Sequence, residues 1–92
     1  MKIWYLMKQT KIIGRFLSIP KDFTWDELVK VLSSYGYTEM KNTKTGGSRR
    51  KFVDNDKNIL SLHKPHPSAI VKSYAIKQVI ETLQERGQIK DE

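Results

Sequence analysis

Two histidines stand three positions apart in the run His63-Lys64-Pro65-His66-Pro67, and the 92-residue chain contains no others. An imidazole can take or give a proton near neutral pH. Two of them held close together can serve as base and acid in one reaction. The prolines between and after them restrict the backbone that carries the rings. One reaction that uses such a pair is cleavage of an RNA phosphodiester by its own 2′-hydroxyl. It needs a base at that hydroxyl, an acid at the leaving oxygen, and cations around the phosphate as negative charge develops. Arg49, Arg50, Lys51 and Lys64 are at hand in the sequence, and Lys72 follows as a further phosphate contact. Such a mechanism needs no metal ion and no cofactor. The plainer alternative is that both rings pack and hydrogen-bond at the end of a strand. A metal site would need more than these two ligands, and only Asp54 and Asp56 are near in sequence.

Other chemistry is weakly supported. There is no cysteine, which removes disulfides, thiolate metal sites and cysteine catalysis. Gly46-Gly47-Ser48-Arg49 lacks the spacing and the following helix of a phosphate-binding loop, so its glycines serve a turn or a close approach. Ser48 has no carboxylate–histidine pair beside it that would make it a nucleophile. The net charge of +7 is concentrated. Residues 41–77 hold nine Lys/Arg against two Asp, which accounts for the whole excess, while eight positive and eight negative charges cancel elsewhere. A basic surface of this kind attracts polyanions, nucleic acid above all. No apolar run approaches the roughly 18 residues of a membrane span and no secretory signal is visible, so a soluble cytoplasmic protein is expected.

The elements that must position these groups can be read from periodicity. Ile12, Ile13, Phe16 and Leu17, extended backward by Leu6 and Trp4, predict a helix over 3–18 that stops before Pro20. Thr24-Trp25-Asp26-Glu27 is a capping box opening a second helix to about Tyr35, with Trp25, Leu28, Val29 and Leu32 inward and Gly36 closing it. Three strands follow, at 37–42 with Met40 inward, at 48–53 and at 58–64, the last two joined by an Asp54–Lys57 turn. Alternation puts Phe52, Leu60 and Leu62 on the covered face and Arg49, Lys51 and His63 on the open one. Arg50 then falls at the edge of the covered face, where its head must snorkel or pair. Pro65 and Pro67 end the third strand. A last helix starts near Ser73, a possible N-cap, buries Ile76, Val79, Ile80 and Leu83, and stops at Gly87. The expected architecture is α+β, an α-β-β-β-α double-stranded-RNA-binding-domain-like unit with its helices on one face. It divides into an N-terminal helical extension over 1–22, the core domain over 23–87, and a loose tail over 88–92.

These residues resemble the HicA family of toxins from bacterial type II toxin–antitoxin modules. The resemblance rests on Gly47-Ser48-Arg49-Arg50-Lys51-Phe52, on Leu62-His63-Lys64-Pro65-His66-Pro67, and on Lys72 and Ile76 entering the last helix. Phe23 to Leu28 with Tyr35-Gly36-Tyr37 fits that family's first core helix, so about residues 23–85 are covered. The resemblance implies an mRNA-cleaving endoribonuclease that inhibits translation and is neutralised by a HicB-type antitoxin, with no small-molecule cofactor and no membrane. It implies a catalytic histidine after the Gly-Ser pair, where this chain has Arg49. Acid/base roles then fall to His66 and His63. His66 ranks first, because it lies close to where the family often has a second histidine. Ser48, Arg49, Arg50, Lys51, Lys64 and Lys72 become the expected RNA contacts. The alternative function is an RNA-binding module with the same fold that does not cut.

Overall fold

The Thr24–Glu27 box closes as its spacing requires. The Thr24 hydroxyl accepts from the Glu27 N–H at 3.2 Å, and the Glu27 carboxylate accepts from the Thr24 N–H at 2.9 Å. In the computed structural model, which describes residues 11–40 and 49–89, this cap starts a helix over Trp25–Ser34, α2. It is preceded by a helix whose described part is 11–17, α1, and followed by strands β1 (Thr38–Glu39), β2 (Arg49–Val53) and β3 (Ile59–His63) and by helix α3 (Ser73–Glu85). Gly36 takes φ +88° and Gly87 φ +72°, the left-handed conformation that ends a helix at little cost for glycine.

The strands form one antiparallel sheet in the order β1-β2-β3. Phe52 pairs with Leu60 and with Glu39, while Arg49 pairs with His63 and Lys51 with Ser61. The period of two places Phe52 and Leu60 in the core and leaves Ile59 exposed on the other side. The described helices cover that apolar face. Leu28, Val31 and Leu32 of α2 and Ile76, Val79 and Leu83 of α3 are almost fully buried. The Trp25 and Phe52 rings lie 5.9 Å apart at 55°, a tilted aromatic contact between α2 and the sheet. The α+β, α-β-β-β-α arrangement is therefore the one expected, with an N-terminal helix added.

Several details differ from expectation. Val31 takes the buried place assigned to Val29, which is half-buried, and Leu17 is exposed although Phe16 is fully buried. Met40 is half-buried and outside the core. Its N–H donates to the Lys51 carbonyl at 2.7 Å, one step past the Glu39–Phe52 pair, so Tyr37 takes the inward position. Lys72, not Ser73, is the N-cap of α3, and the Ser73 hydroxyl donates instead to the Pro20 carbonyl at 3.4 Å. Beyond α3, Gln88 bonds to Tyr37 and Asp54, and Ile89 is buried, so the chain is held to the hairpin at these two positions. The expectations for residues 1–10, including Trp4 and Leu6, and for Ser48 fall outside the described residues. No helix among the described residues is long and apolar enough to cross a membrane.

Candidate active site

Antiparallel register brings the chemistry-bearing residues to one end of the hairpin. Arg49 opens β2, His63 closes β3, and the two are direct cross-strand partners on the uncovered face. Cross-strand partners on one face stand only about 5 Å apart at Cβ. The Arg49 guanidinium also reaches along the ladder and donates to the Ser61 hydroxyl at 3.3 Å, which fixes its direction. The turn at the far end keeps this register. Asp54 Oδ1 accepts from the N–H groups of Asp56 and Asn58 at 3.0 and 2.8 Å, and Lys57 takes φ +66° to complete the reversal.

After His63 the chain leaves the sheet and crosses to α3 through a loop that carries His66. The His66–Pro67 peptide bond is cis. The far end of the loop is pinned by backbone hydrogen bonds to Phe23 and to Trp25, the first residue of α2. The Trp25 N–H donates to the Ala69 carbonyl at 2.8 Å, the Val71 N–H donates to the Phe23 carbonyl at 2.7 Å, and Thr24 and Ile70 form an isolated antiparallel bridge. Val71 is buried there. His66 thus sits on a short span between two fixed points, the end of β3 and the Ala69–Val71 bridge.

Between this loop, β3 and the first half of α3 lies a groove of about 660 Å³. His63, His66, Arg49 and Lys72 all line it, joined by Ser61, Tyr74 and Gln78. Trp25, Leu28 and Val79 contribute apolar wall. The volume is in the range of sites that hold a small organic ligand. Among the described residues that line it, none is acidic. The first turn of α3 contains no acidic residue and no side chain caps its backbone, so the positive end of a 13-residue helix adjoins Lys72. Among the described lining residues every formal charge is positive, and two imidazoles stand beside them.

The remaining basic residues are placed elsewhere. Arg50 points to the covered side, where its Nε lies 3.3 Å from a Glu39 carboxylate oxygen and its Nη1 donates to the Arg49 carbonyl. This is the pairing that its position on the strand required. Lys51 lies on the open face opposite Ser61, and Lys64 is exposed on the loop, but neither lines the groove. Tyr74, Gln78 and Ser61 were not singled out from sequence. A signal existed for Tyr74: it is an aromatic residue in the first turn of α3, off the Ile76–Leu83 stripe, where packing gives no reason for it.

A small basic domain of α-β-β-β-α order, with an all-cationic, histidine-bearing groove at one end of its sheet, is the class that fold and site define. The family model described as HicA toxin of bacterial toxin-antitoxin matches residues 25–84, and the chain belongs to that family. It is a toxin of a toxin–antitoxin system and has an antitoxin as its partner. Comparison with curated proteins and with solved structures returns no significant match. The matched stretch begins at Trp25, so α1, Phe23 and Thr24 precede it, while Trp25, the other residue that pins the His66 loop, lies within it.

Proposed function

We propose that this toxin is a metal-independent endoribonuclease that cleaves mRNA and so stops translation, with His66 and His63 as its acid/base pair. The observation that carries this reading is the groove in which both imidazoles meet Arg49 and Lys72 with no carboxylate among its described lining. One imidazole removes the proton of the ribose 2′-hydroxyl. That oxygen attacks the adjacent phosphorus, and the 5′-oxygen leaves with a proton from the other imidazole, giving a 2′,3′-cyclic phosphate. Arg49, directed by Ser61, offers paired N–H donors to the phosphoryl oxygens as they gain charge. Lys72, at the cationic end of α3, holds a neighbouring phosphate. Lys51 and Lys64 extend the basic surface along the strand and loop, and Ser48 precedes Arg49 at the family's Gly-Ser position. A HicB-type antitoxin would silence the protein by covering this basic face, which matches an acidic partner surface.

The test is incubation of metal-free protein with total RNA in EDTA, beside His66→Ala and His63→Ala. Removing a general acid or base lowers cleavage by about 10²–10⁴-fold. Both histidines are exposed, so the variants fold. Full cleavage by His66→Ala would end the assignment. A second reading is favoured by one observation: Arg49 occupies the place where the resemblance puts the family's catalytic histidine. On that reading the domain binds RNA without cutting it. Binding would then weaken steeply with salt through counterion release, and the parent would leave RNA intact under every condition.

A further inference from the structure

Tyr74 is 66% exposed, the most exposed of the four large apolar side chains that stand open among the described residues. Two of those four, Tyr74 and Ile70, border the same groove. Their concentration there is unlike scattered surface apolarity, which needs no explanation. Tyr74 contributes nothing to the core, because α3 buries Ile76, Val79, Ile80 and Leu83 along another face. Four residues on, one turn along the same ridge, Gln78 also lines the groove. The groove therefore offers an open aromatic ring and, beside it, an amide that can both donate and accept hydrogen bonds. Lys72, two residues before Tyr74, and Arg49 across the groove supply cations. An aromatic face next to cationic groups is the complement of one chemical unit, a nucleotide: base on ring, phosphate on cation.

We infer that Tyr74 is a stacking platform for an unpaired base beside the phosphate held by Arg49 and Lys72, with Gln78 facing that base's edge. This deepens the RNA reading and rests on it. In a duplex the bases stack on one another and offer no free face, and an A-form helix is read through its backbone and 2′-hydroxyls. A platform on α3 is filled only by a base that has left its helix. The substrate class is accordingly single-stranded RNA, although the fold's usual partner class is the duplex.

The experiment measures binding of a short fluorescent 2′-O-methyl RNA oligonucleotide, which cannot be cleaved through its 2′ oxygen, by parent, Tyr74→Ala and Tyr74→Phe. The same sequence annealed to its complement is run alongside. Tyr74→Ala is expected to raise Kd for the single strand by about tenfold and Tyr74→Phe to leave it within about twofold, because the ring and not the hydroxyl carries the contact. The duplex is expected to bind more weakly and to be indifferent to both substitutions. Circular dichroism of the variants checks the fold, which an exposed side chain does not support. A Tyr74→Ala variant that binds the single strand like the parent overturns the platform while leaving the RNA reading intact. So does tighter binding of the duplex. Loss of antitoxin co-purification in Tyr74→Ala with RNA affinity unchanged overturns it too, and assigns the ring to the protein interface. A parent that binds neither form overturns the RNA reading, and the platform falls with it.

Discussion

Glu27 and Asp54 are carboxylates whose oxygens are already taken. Glu27 accepts from the Thr24 N–H and hydroxyl and from the Arg15 guanidinium, and its carboxyl is held below the ordinary range first by the Thr24 backbone and then by Arg15. Asp54 is lowered first by the Asn58 side-chain amide, with further donors from the Asn58, Gln88 and Asp56 groups. Hydrogen bonds to the ionised form favour it in the folded state. A carboxyl with a depressed folded value contributes stability above its unfolded value, about pH 4, and loses it as pH falls through the folded value. The melting temperature is therefore expected to hold between pH 7 and 5 and to drop below about pH 4. The double variant Glu27→Gln, Asp54→Asn should show a shallower drop, and an unchanged pH profile would refute the assignment. These residues illustrate what sequence reveals at this scale. The capping box is legible because its two bonds are local. The shared face of Arg49 and His63 is legible from strand alternation, but their direct pairing is not: a four-residue turn would set Arg49 opposite Leu62, whereas the observed register puts Val53 opposite Ile59. The Asp54–Gln88 bond is not legible either, since it joins residues 34 apart that only the closed fold brings together.

At the scale of elements, the loop carrying His66 depends on a segment that contributes nothing to the groove's chemistry. Phe23 and Trp25 hold Ala69 and Val71 through backbone bonds of 2.7 and 2.8 Å, and the Phe23 side chain is fully buried. Amide exchange reports such attachments, because a protected N–H opens only when its element does. The Val71 and Trp25 amides are expected to exchange as slowly as those of the β2–β3 ladder, while the amides of His66 and Ser68 exchange fast. A Val71 amide as labile as that of His66 would show that the loop is not anchored. The helices and strands were legible as elements, α2 most clearly through its capping box and apolar face. The bridge between 23–25 and 69–71 was not, because two-residue pairings carry no periodicity. The groove followed from that bridge, and so its lining by Tyr74 and Gln78 stayed hidden while the histidines did not.

The molecule as a whole has one core, and α1 belongs to it. Phe16 has no exposed surface, packs 5.9 Å from the Phe23 ring, and is backed by Arg15 lying 5.4 Å over the same ring. Arg15 in turn joins α1 to α2 through Glu27 and to the intervening turn through Asp22, each at 3.2 Å. The sequence pattern marks a helical extension but does not say which surface its stripe will bury. Deleting a fully buried phenylalanine side chain costs about 3–5 kcal/mol. A domain of this size commonly has about 5–15 kcal/mol in all. Phe16→Ala is thus expected to remove a large part of the stability, and denaturant titration measures it through a lower midpoint. A midpoint equal to the parent's would show that α1 is dispensable to the fold.

The bonds at the turn end of the hairpin have a mechanical consequence. Arg86 donates to the Tyr37 hydroxyl and to the Ile59 carbonyl, Tyr37 donates to Gln88, and Gln88 donates to Asp54. Together they clamp the hairpin where Arg49 and His63 are not. The ribbon is thus held twice, at its turn by these bonds and along its middle by Phe52 and Leu60 in the core. The Arg49–His63 pair at the other end closes the same ladder, so its register is set by these attachments.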